Sequence, residues 1–439
     1  MKKSILLPFL VSFCSVAFAN NMLVQNVSTT GNNAGAQTIQ VQFDISWDNS
    51  WRDDINWDAA WIFMKFKDAN GLWQHCKLNQ TGFSNGSGTA NTVQVTADKV
   101  GSWLYRSALG SGTFNTTGMQ LQWNYGLSGL TDVTGLEVRV FAVEMVYVPE
   151  GDFNIAKGFW INPATTLNFN GSFNAPGSNF PVINTKLSPT LTYSDGTSAS
   201  VRIKGDAGID TNNDGIIDNT TYPIGYRAFY AYKYELSEQQ YADFLNTLTN
   251  TQITTLGLAG TGITLTSGQY FSSTPNKACG NSNDSRFYAY ADWSGLRPMT
   301  VLEMNKASYG PLQPVFRDFC VSIDRSYPAW GVGCPESLPD NGSNGLASLQ
   351  NVGYNASGTS DRVSSGSSYY GIMDLTWNAS EPVVRLSSFS FNSINGNGEI
   401  LSTGSTDVST WNSSSIFYWE QARQFGVQNY GFRYVRSAE

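Results

Sequence analysis

Thr38-Ile-Gln-Val-Gln-Phe-Asp-Ile-Ser-Trp47 alternates apolar and polar residues with a period of two, which places its apolar members on one face of a strand. Ala60-Trp-Ile-Phe-Met-Lys-Phe66 is almost continuously apolar, the pattern of a more fully buried strand. Leu72-Trp-Gln-His-Cys-Lys-Leu78 follows a turn signal at Asn70-Gly71. Thr92-Val-Gln-Val-Thr96 and Met119-Gln-Leu-Gln-Trp123 alternate again, and Leu136-Glu-Val-Arg-Val-Phe-Ala-Val143 closes the set. Together these predict a β-sandwich over residues 20–143. Its last strand runs into the next region with no flexible linker, so the two are expected to pack against each other.

The period then changes. Glu235-Leu-Ser-Glu-Gln-Gln-Tyr-Ala-Asp-Phe-Leu-Asn-Thr-Leu248 predicts a helix, with Ser237 as its cap, Gln240 completing a capping box, and Tyr241, Phe244, Leu245 and Leu248 on one face. Arg286–Trp293 reads as a second amphipathic segment. Thr300 and Glu303 predict another capped helix. The stretches 155–219, 249–273 and 310–366 are polar and read as loops and insertions.

At the other end, Lys2 and Lys3 precede an apolar run from Ile5 to Phe18, and Ala17-Phe18-Ala19 fits a small-x-small cleavage site. Residues 1–19 therefore read as a secretory signal peptide, which implies a secreted or cell-surface protein. Phe13 before Cys14 does not fit a lipoprotein signal, and no later stretch is apolar long enough to span a bilayer. Charged residues make up only 14% of the chain and aromatic residues 13%, which suits a β- and loop-rich extracellular protein with a core of rings rather than a helical bundle. The formal net charge of -8 argues against nucleic acid and anionic membranes as partners.

Four cysteines remain beyond the leader: Cys76, Cys279, Cys320 and Cys334. Export permits disulfides. Cys320 and Cys334 close a short loop and are the preferred pair, Cys279 can compete for either, and Cys76 reads as a buried thiol. No spacing suits zinc. Asp210-Thr-Asn-Asn-Asp-Gly-Ile-Ile-Asp218 places oxygens from Asp210, Asn212, Asp214 and Asp218 and the Ile216 carbonyl in the order of a calcium loop, although Thr221 stands where the usual last carboxylate would be. It is either a structural calcium loop or a calcium-free cluster of Asx turns. In Tyr370-Gly-Ile-Met-Asp-Leu-Thr-Trp-Asn-Ala-Ser-Glu381, the oxygens of Asn378 and Glu381 make either half of a calcium shell or a polar turn between strands. Trp47, Trp51, Trp57, Trp61 and Trp73 crowd the first region, as core, as a domain interface or as a sugar-stacking surface.

Four stretches in order carry a resemblance: Met145-Val-Tyr-Val-Pro-Glu-Gly-Asp-Phe153, Leu296-Arg-Pro-Met-Thr-Val-Leu-Glu303, the Asn378–Glu381 turn and Gly431-Phe-Arg433. With the Tyr234-Glu235 helix start, residues 145–439 resemble the formylglycine-generating enzyme (sulfatase-modifying factor) family. Trp377, Ser380 and Pro382 depart from the family's Gly-Asn-x-Trp-Glu-Trp turn. The resemblance implies an elaborated C-type-lectin-like fold, hence an α+β, loop-rich protein: β-sandwich over 20–143, sulfatase-modifying-factor-like domain over 144–439. It also implies calcium on the Asn378–Glu381 turn.

Active members oxidise a substrate cysteine with copper(I) held by two cysteines between that turn and Gly-Phe-Arg. Between Glu381 and Gly431 this chain has none, so no catalytic residue carries over and no copper is expected. A related branch uses histidine-bound iron, and the single histidine, His75, lies in the first region, so no iron is expected either. The reading is a secreted or cell-surface binding or structural protein on a catalytically inactive sulfatase-modifying-factor fold stabilised by calcium. It resembles the gliding-motility and secretion lipoproteins and the variable ligand-binding proteins built on this fold. Its expected partners are a protein or glycan at the cell surface, or further copies of itself. Tyr418, Trp419, Gln424 and Tyr430, within Trp411–Tyr434, have the composition of a contact patch or of a small ring-filled core. The alternatives are a sulfatase-maturing oxidase, a glycan-binding module served by the tryptophans, and a subunit of a surface filament.

Overall fold

The computed structural model of the chain describes residues 21–154, 181–183, 192–193, 221–312, 349–354, 365, 367–375, 378–384, 391–411, 416–418 and 430–438. Nine strands come first: β1 (Leu23–Asn33), β2 (Thr38–Arg52), β3 (Asp58–Lys67), β4 (Trp73–His75), β5 (Ser87–Gly88), β6 (Asn91–Val95), β7 (Ser102–Arg106), β8 (Gly110–Asn124) and β9 (Glu137–Val148). Three short strands, β10 (Phe153–Asn154), β11 (Pro181–Ile183) and β12 (Thr192–Tyr193), form a small sheet of their own. Then come β13 (Phe229–Tyr232), α1 (Glu238–Leu245), α2 (Asn250–Leu256), the hairpin β14 (Ile263–Thr266) and β15 (Gln269–Ser272), and α3 (Asp284–Trp293). The last elements are β16 (Arg297–Pro298), α4 (Val301–Tyr309), β17 (Pro382–Val384), β18 (Ile416–Tyr418) and β19 (Tyr434–Ser437). The protein is thus a strand-rich α+β chain.

Two sheets carry the architecture. The smaller runs β1-β2-β8-β5. The larger runs β16-β19-β13-β9-β3-β7-β6, with β4 also on β3. The alternation of β2 sends Val41, Phe43, Ile45 and Trp47 inward, where they meet Leu121 and Trp123 of β8 and Ala60, Ile62, Met64 and Phe66 of β3. Polar residues of β2 and β8 face out, and Gln120 Nε2 donates to Gln42 Oε1 at 2.9 Å. β3 is buried on both faces because its other residues, Ala59, Trp61 and Phe63, pack into a second core with the helices. Trp293 of α3 meets Phe63 edge-on at 5.0 Å, and Trp103 of β7 stacks on Tyr230 of β13 at 3.7 Å.

The division expected at 143/144 falls inside β9. That strand pairs with β3 from Glu137 to Val146 and with β13 from Met145 to Val148. The change is one of partner strand, and the larger sheet passes through it unbroken.

Two helix starts follow the sequence: Ser237 and Gln240 form a reciprocal capping box on α1, and Thr300 and Glu303 form one on α4; the segment read from Arg286 begins earlier, at Asp284, with Asn283 as its cap. The expected loop over 249–273 is corrected: it holds α2 and the β14–β15 hairpin. α2 has its own box, Thr249 with Gln252, and the hairpin turns at Ser267-Gly268, both with positive φ. The box was readable. The helix lacks an apolar stripe, because it buries only Leu256.

The tryptophans sort by the same geometry. Trp47 and Trp61 are core. Trp51 lies against Gly371, and Trp57 stacks on Tyr147 at 4.1 Å. Trp61 ties the halves together: its Nε1 donates to Ser294 O at 2.8 Å, and Arg436 lies 4.4 Å over its ring. Trp61→Ala should therefore lower the free energy of unfolding by about 3–5 kcal/mol. In urea titrations, probes in both halves should shift together; loss confined to the first 120 or so residues would show that the shared sheet does not couple them.

Candidate functional site

Two of the stretches that carried the resemblance, the Asn378–Glu381 turn and Gly431-Phe-Arg433, meet Glu235 in one buried cluster. Glu235 lies just beyond β13 and before the α1 cap. Its Oε1 accepts the Ala379 N–H at 2.8 Å and its Oε2 faces the Asn378 amide nitrogen. Asn378 Oδ1 accepts the Gln350 N–H at 2.8 Å. Asn378 and Asp374 have φ of 74° and 63°, left-handed values that Asn and Asp tolerate because their short side chains bond locally.

Arg433, set by β19, reaches under this turn. Its Nε donates to Glu381 Oε1, Nη1 donates to Tyr232 O at 2.9 Å, and Nη2 donates to Met373 O at 2.7 Å. Arg433 is 0% exposed, and Glu381, Asn378, Asp374 and Glu235 are 1% exposed each. The turn continues into β17, where Val384 N–H donates to Met299 O at 2.9 Å and docks the segment at the start of α4. There Arg297 holds Glu303 by two bonds of 2.8 and 2.6 Å. Lys306 donates to the carbonyls of Pro149, Gly225 and Tyr226 at 2.6, 2.8 and 3.1 Å, which fixes the chain beyond β9.

Three carboxyl groups thus share one guanidinium away from water. Burial pushes Asp374 up to about 6 and Glu381 up to about 7, with Arg433 pulling both back. Burial, helped by Asp374 and Glu381, raises Glu235 well above the usual carboxylate range. Asp374 Oδ2 accepts the Gly353 N–H at 2.6 Å, while its Oδ1 is buried without a hydrogen-bond partner. The cluster's side chains are buried.

At the turn expected to hold calcium, Asn378 Oδ1 accepts a backbone N–H and Glu381 pairs with the Arg433 guanidinium. Among the described residues, no group of three or more His, Cys, Asp or Glu is arranged to hold a metal ion. The loop of Asp210, Asn212, Asp214, Ile216 and Asp218 lies outside the described residues, as do Cys320, Cys334, Trp419 and Gln424 and the leader. Cys76 and Cys279 are buried, and neither forms a disulfide among the described residues. Of the expected contact patch, the backbone of Tyr418 lies in β18, and Tyr430 bridges Ser380 and accepts the Ser282 N–H at 2.8 Å. Trp411, Phe432 and Tyr434, at the borders of that segment, are core instead of surface, because they complete the ring cluster around α1 and α3.

His75 is buried in the first core's flank. Its Nε2 lies 2.6 Å from Val100 O, a pure acceptor, so Nε2 carries the proton and Nδ1 accepts from Lys65 Nζ at 3.1 Å. Burial, then Lys65, lowers its pKa well below the ordinary value. Lys65 also donates to Trp293 O at 2.7 Å and to Gly398 O, and burial brings it down to about 7. Gly398 has φ of 92°, and a Cβ there would stand 2.1 Å from His75 Nδ1, so only glycine lets the chain pass.

A second buried polar group escaped the reading of motifs: Asp58, Glu144 and Lys233. Its signal was present, since Glu144 and Lys233 are lone charges inside apolar runs. Among the described residues, no helix is long and apolar enough to cross a membrane. No family model, curated protein or solved structure matches the chain.

Two predictions follow from the cluster. Arg433→Met leaves the Glu381 carboxylate buried alone and should cost about 3–5 kcal/mol in urea unfolding. Pairing it with Glu381→Leu should recover much of that loss; an unchanged single variant would show that the pair holds nothing. For Asp374, the folded pKa lies above the unfolded one, so the folded state binds the extra proton. Its contribution is present at low pH and declines as pH rises from about 4 through about 6. Asp374→Asn should therefore gain about 1–3 kcal/mol on the wild type between pH 4 and pH 8, read from melts across that range. A gain of the opposite sign would place the carboxylate in a favourable site.

Proposed function

We propose that the chain is a secreted or cell-surface binding or structural protein, with a β-sandwich followed by a sulfatase-modifying-factor (C-type-lectin-like) domain that works as a scaffold. The observation that carries this reading is the closed state of the motif residues. Glu235, Asn378, Glu381 and Arg433 join one another and the backbone of β13, and none faces solvent. Residues that hold a fold in this way support a display or assembly role better than a reaction. The sequence adds that no thiol pair stands between Glu381 and Gly431 to bind copper(I). The partner on this reading is a protein or glycan outside the cell, or another copy of the chain.

Calcium stays in the proposal as a stabiliser through Asp210, Asn212, Asp214, Ile216 and Asp218, whose oxygens follow the calcium-loop order. Asn378 and Glu381 stay in the proposed ligand set beside the bonds they make to the Gln350 N–H and to Arg433.

The test is metal content by mass spectrometry on the purified mature protein, with thermal melts before and after chelation. Calcium bound to each chain, with a lower Tm after chelation and no aldehyde formed on a sulfatase-type cysteine peptide supplied with copper, is the expected result. Stoichiometric copper with aldehyde formation would replace the scaffold by an oxidase.

A further inference from the structure

Asp58, Glu144 and Lys233 stand side by side on three adjacent strands. Asp58 opens β3, Glu144 lies on β9 between them, and Lys233 follows β13. Glu144 is opposite Ala60, and its carbonyl accepts the Lys233 N–H at 3.0 Å. Lys233 Nζ lies 2.5 Å from Glu144 Oε1 and 3.9 Å from Asp58 Oδ2, with side-chain exposures of 5% for the lysine, 1% for the glutamate and 0% for the aspartate. Rings of Trp51 and Tyr234 flank the ammonium at 4.7 and 5.3 Å.

An ion pair needs one acid. A second buried carboxylate costs several kcal/mol that the lone cation does not return. The placement of donors gives the extra acid a use. Asp58 Oδ2 accepts Trp47 Nε1–H at 2.8 Å, and Oδ1 accepts the Ser50 hydroxyl at 2.9 Å and the Trp51 N–H at 3.0 Å. These three donors polarise the carboxyl group and would hold the charge of a tetrahedral centre at Asp58 Cγ. Glu144 touches the lysine through Oε1, and its Oε2 is buried without a hydrogen-bond partner.

We propose that Lys233 and Asp58 condense to an intramolecular amide, with Glu144 carrying the protons. The resting lysine is an ammonium: burial works to lower its pKa, but Glu144, Tyr234 and Asp58 leave it raised. Burial raises Glu144 well above the usual carboxylate range, so it is the group that can take a proton from Nζ. The freed Nζ lone pair attacks Asp58 Cγ, the C–N bond forms, and one C–O bond breaks. The departing oxygen leaves as water with the two protons that Nζ loses, each passed on by Glu144, which ends as it began. No oxidant or cofactor enters. Fixed neighbours in a site free of bulk water replace activation of the acid, as effective molarities for well-oriented groups allow. The bond would clamp β3 to β13 across β9.

The test is the mass of the full exported chain, with its N-terminus determined. The expected mass is one water below the sequence value, and digestion should release a branched peptide joining the Lys233 and Asp58 segments. A full mass with linear peptides overturns the proposal, as does a branch at Glu144. Lys233→Arg should restore the missing water. Glu144→Gln should do the same while still melting cooperatively, and loss of water in that variant would overturn the role of Glu144. Should a variant fail to fold, the wild-type mass alone decides whether the bond exists.

Discussion

The strands of the larger sheet that follow residue 148 attach to the first half of the chain through the backbone of β9. Its first ten residues bond to β3 and its last four to β13, so a single strand satisfies two partners in turn. A strand in the middle of a sheet has backbone partners on both edges, so its N–H and C=O groups are satisfied along its paired length. β13 then carries β19, and β19 carries β16. The turn of Asn378, the start of α4 and the ring cluster of α1 and α3 all lean on that extension.

The interior contains more charge than a chain with so few charged residues would suggest, and each cation has a particular task. Lys306 and Lys65 each gather carbonyls that loops leave without partners. Arg433 joins the turn to β13 and Arg436 joins β19 to Asp98 at 2.5 Å, both across long stretches of sequence, while Arg297 ties β16 to the adjoining α4. A planar guanidinium with five donors suits the second task, and a compact ammonium the first. The motif residues that suggested a family of oxidases are, in this chain, among these braces.

Much of the fold could be read from residue patterns, and the reasons it could not be read further are specific. Period-two runs located β2, β6 and the inner half of β8, because burial on one face leaves a direct imprint on the sequence, and a nearly continuous apolar run located β3, which is buried on both faces. Cap signals placed α1 and α4 to within a residue. β1 was missed because nearly all of it is exposed, and the outer half of β8 because Gly and Thr line it. The turn at Asn378 could be read as a set of oxygens. What those oxygens bind could not, since Glu235 lies 143 residues before Asn378 and Arg433 lies 52 residues after Glu381. The Lys233 group left only lone charges in apolar strands, which sequence reading discards as noise.

The position of β19 has a consequence in time. It lies between β13 and β16, both of which are made long before it. Until Tyr434–Ser437 arrives, β13 keeps an open edge, Arg297 lacks its strand partner, and Glu381 waits for Arg433. Synthesis from the N-terminus makes the smaller sheet and the β9-β3-β7-β6 part of the larger one available before Tyr434–Ser437. Such long-range closure is slow, and an unpaired edge invites wrong pairing. Tyr434–Ser437 thus joins β13 to β16 across a long separation in sequence.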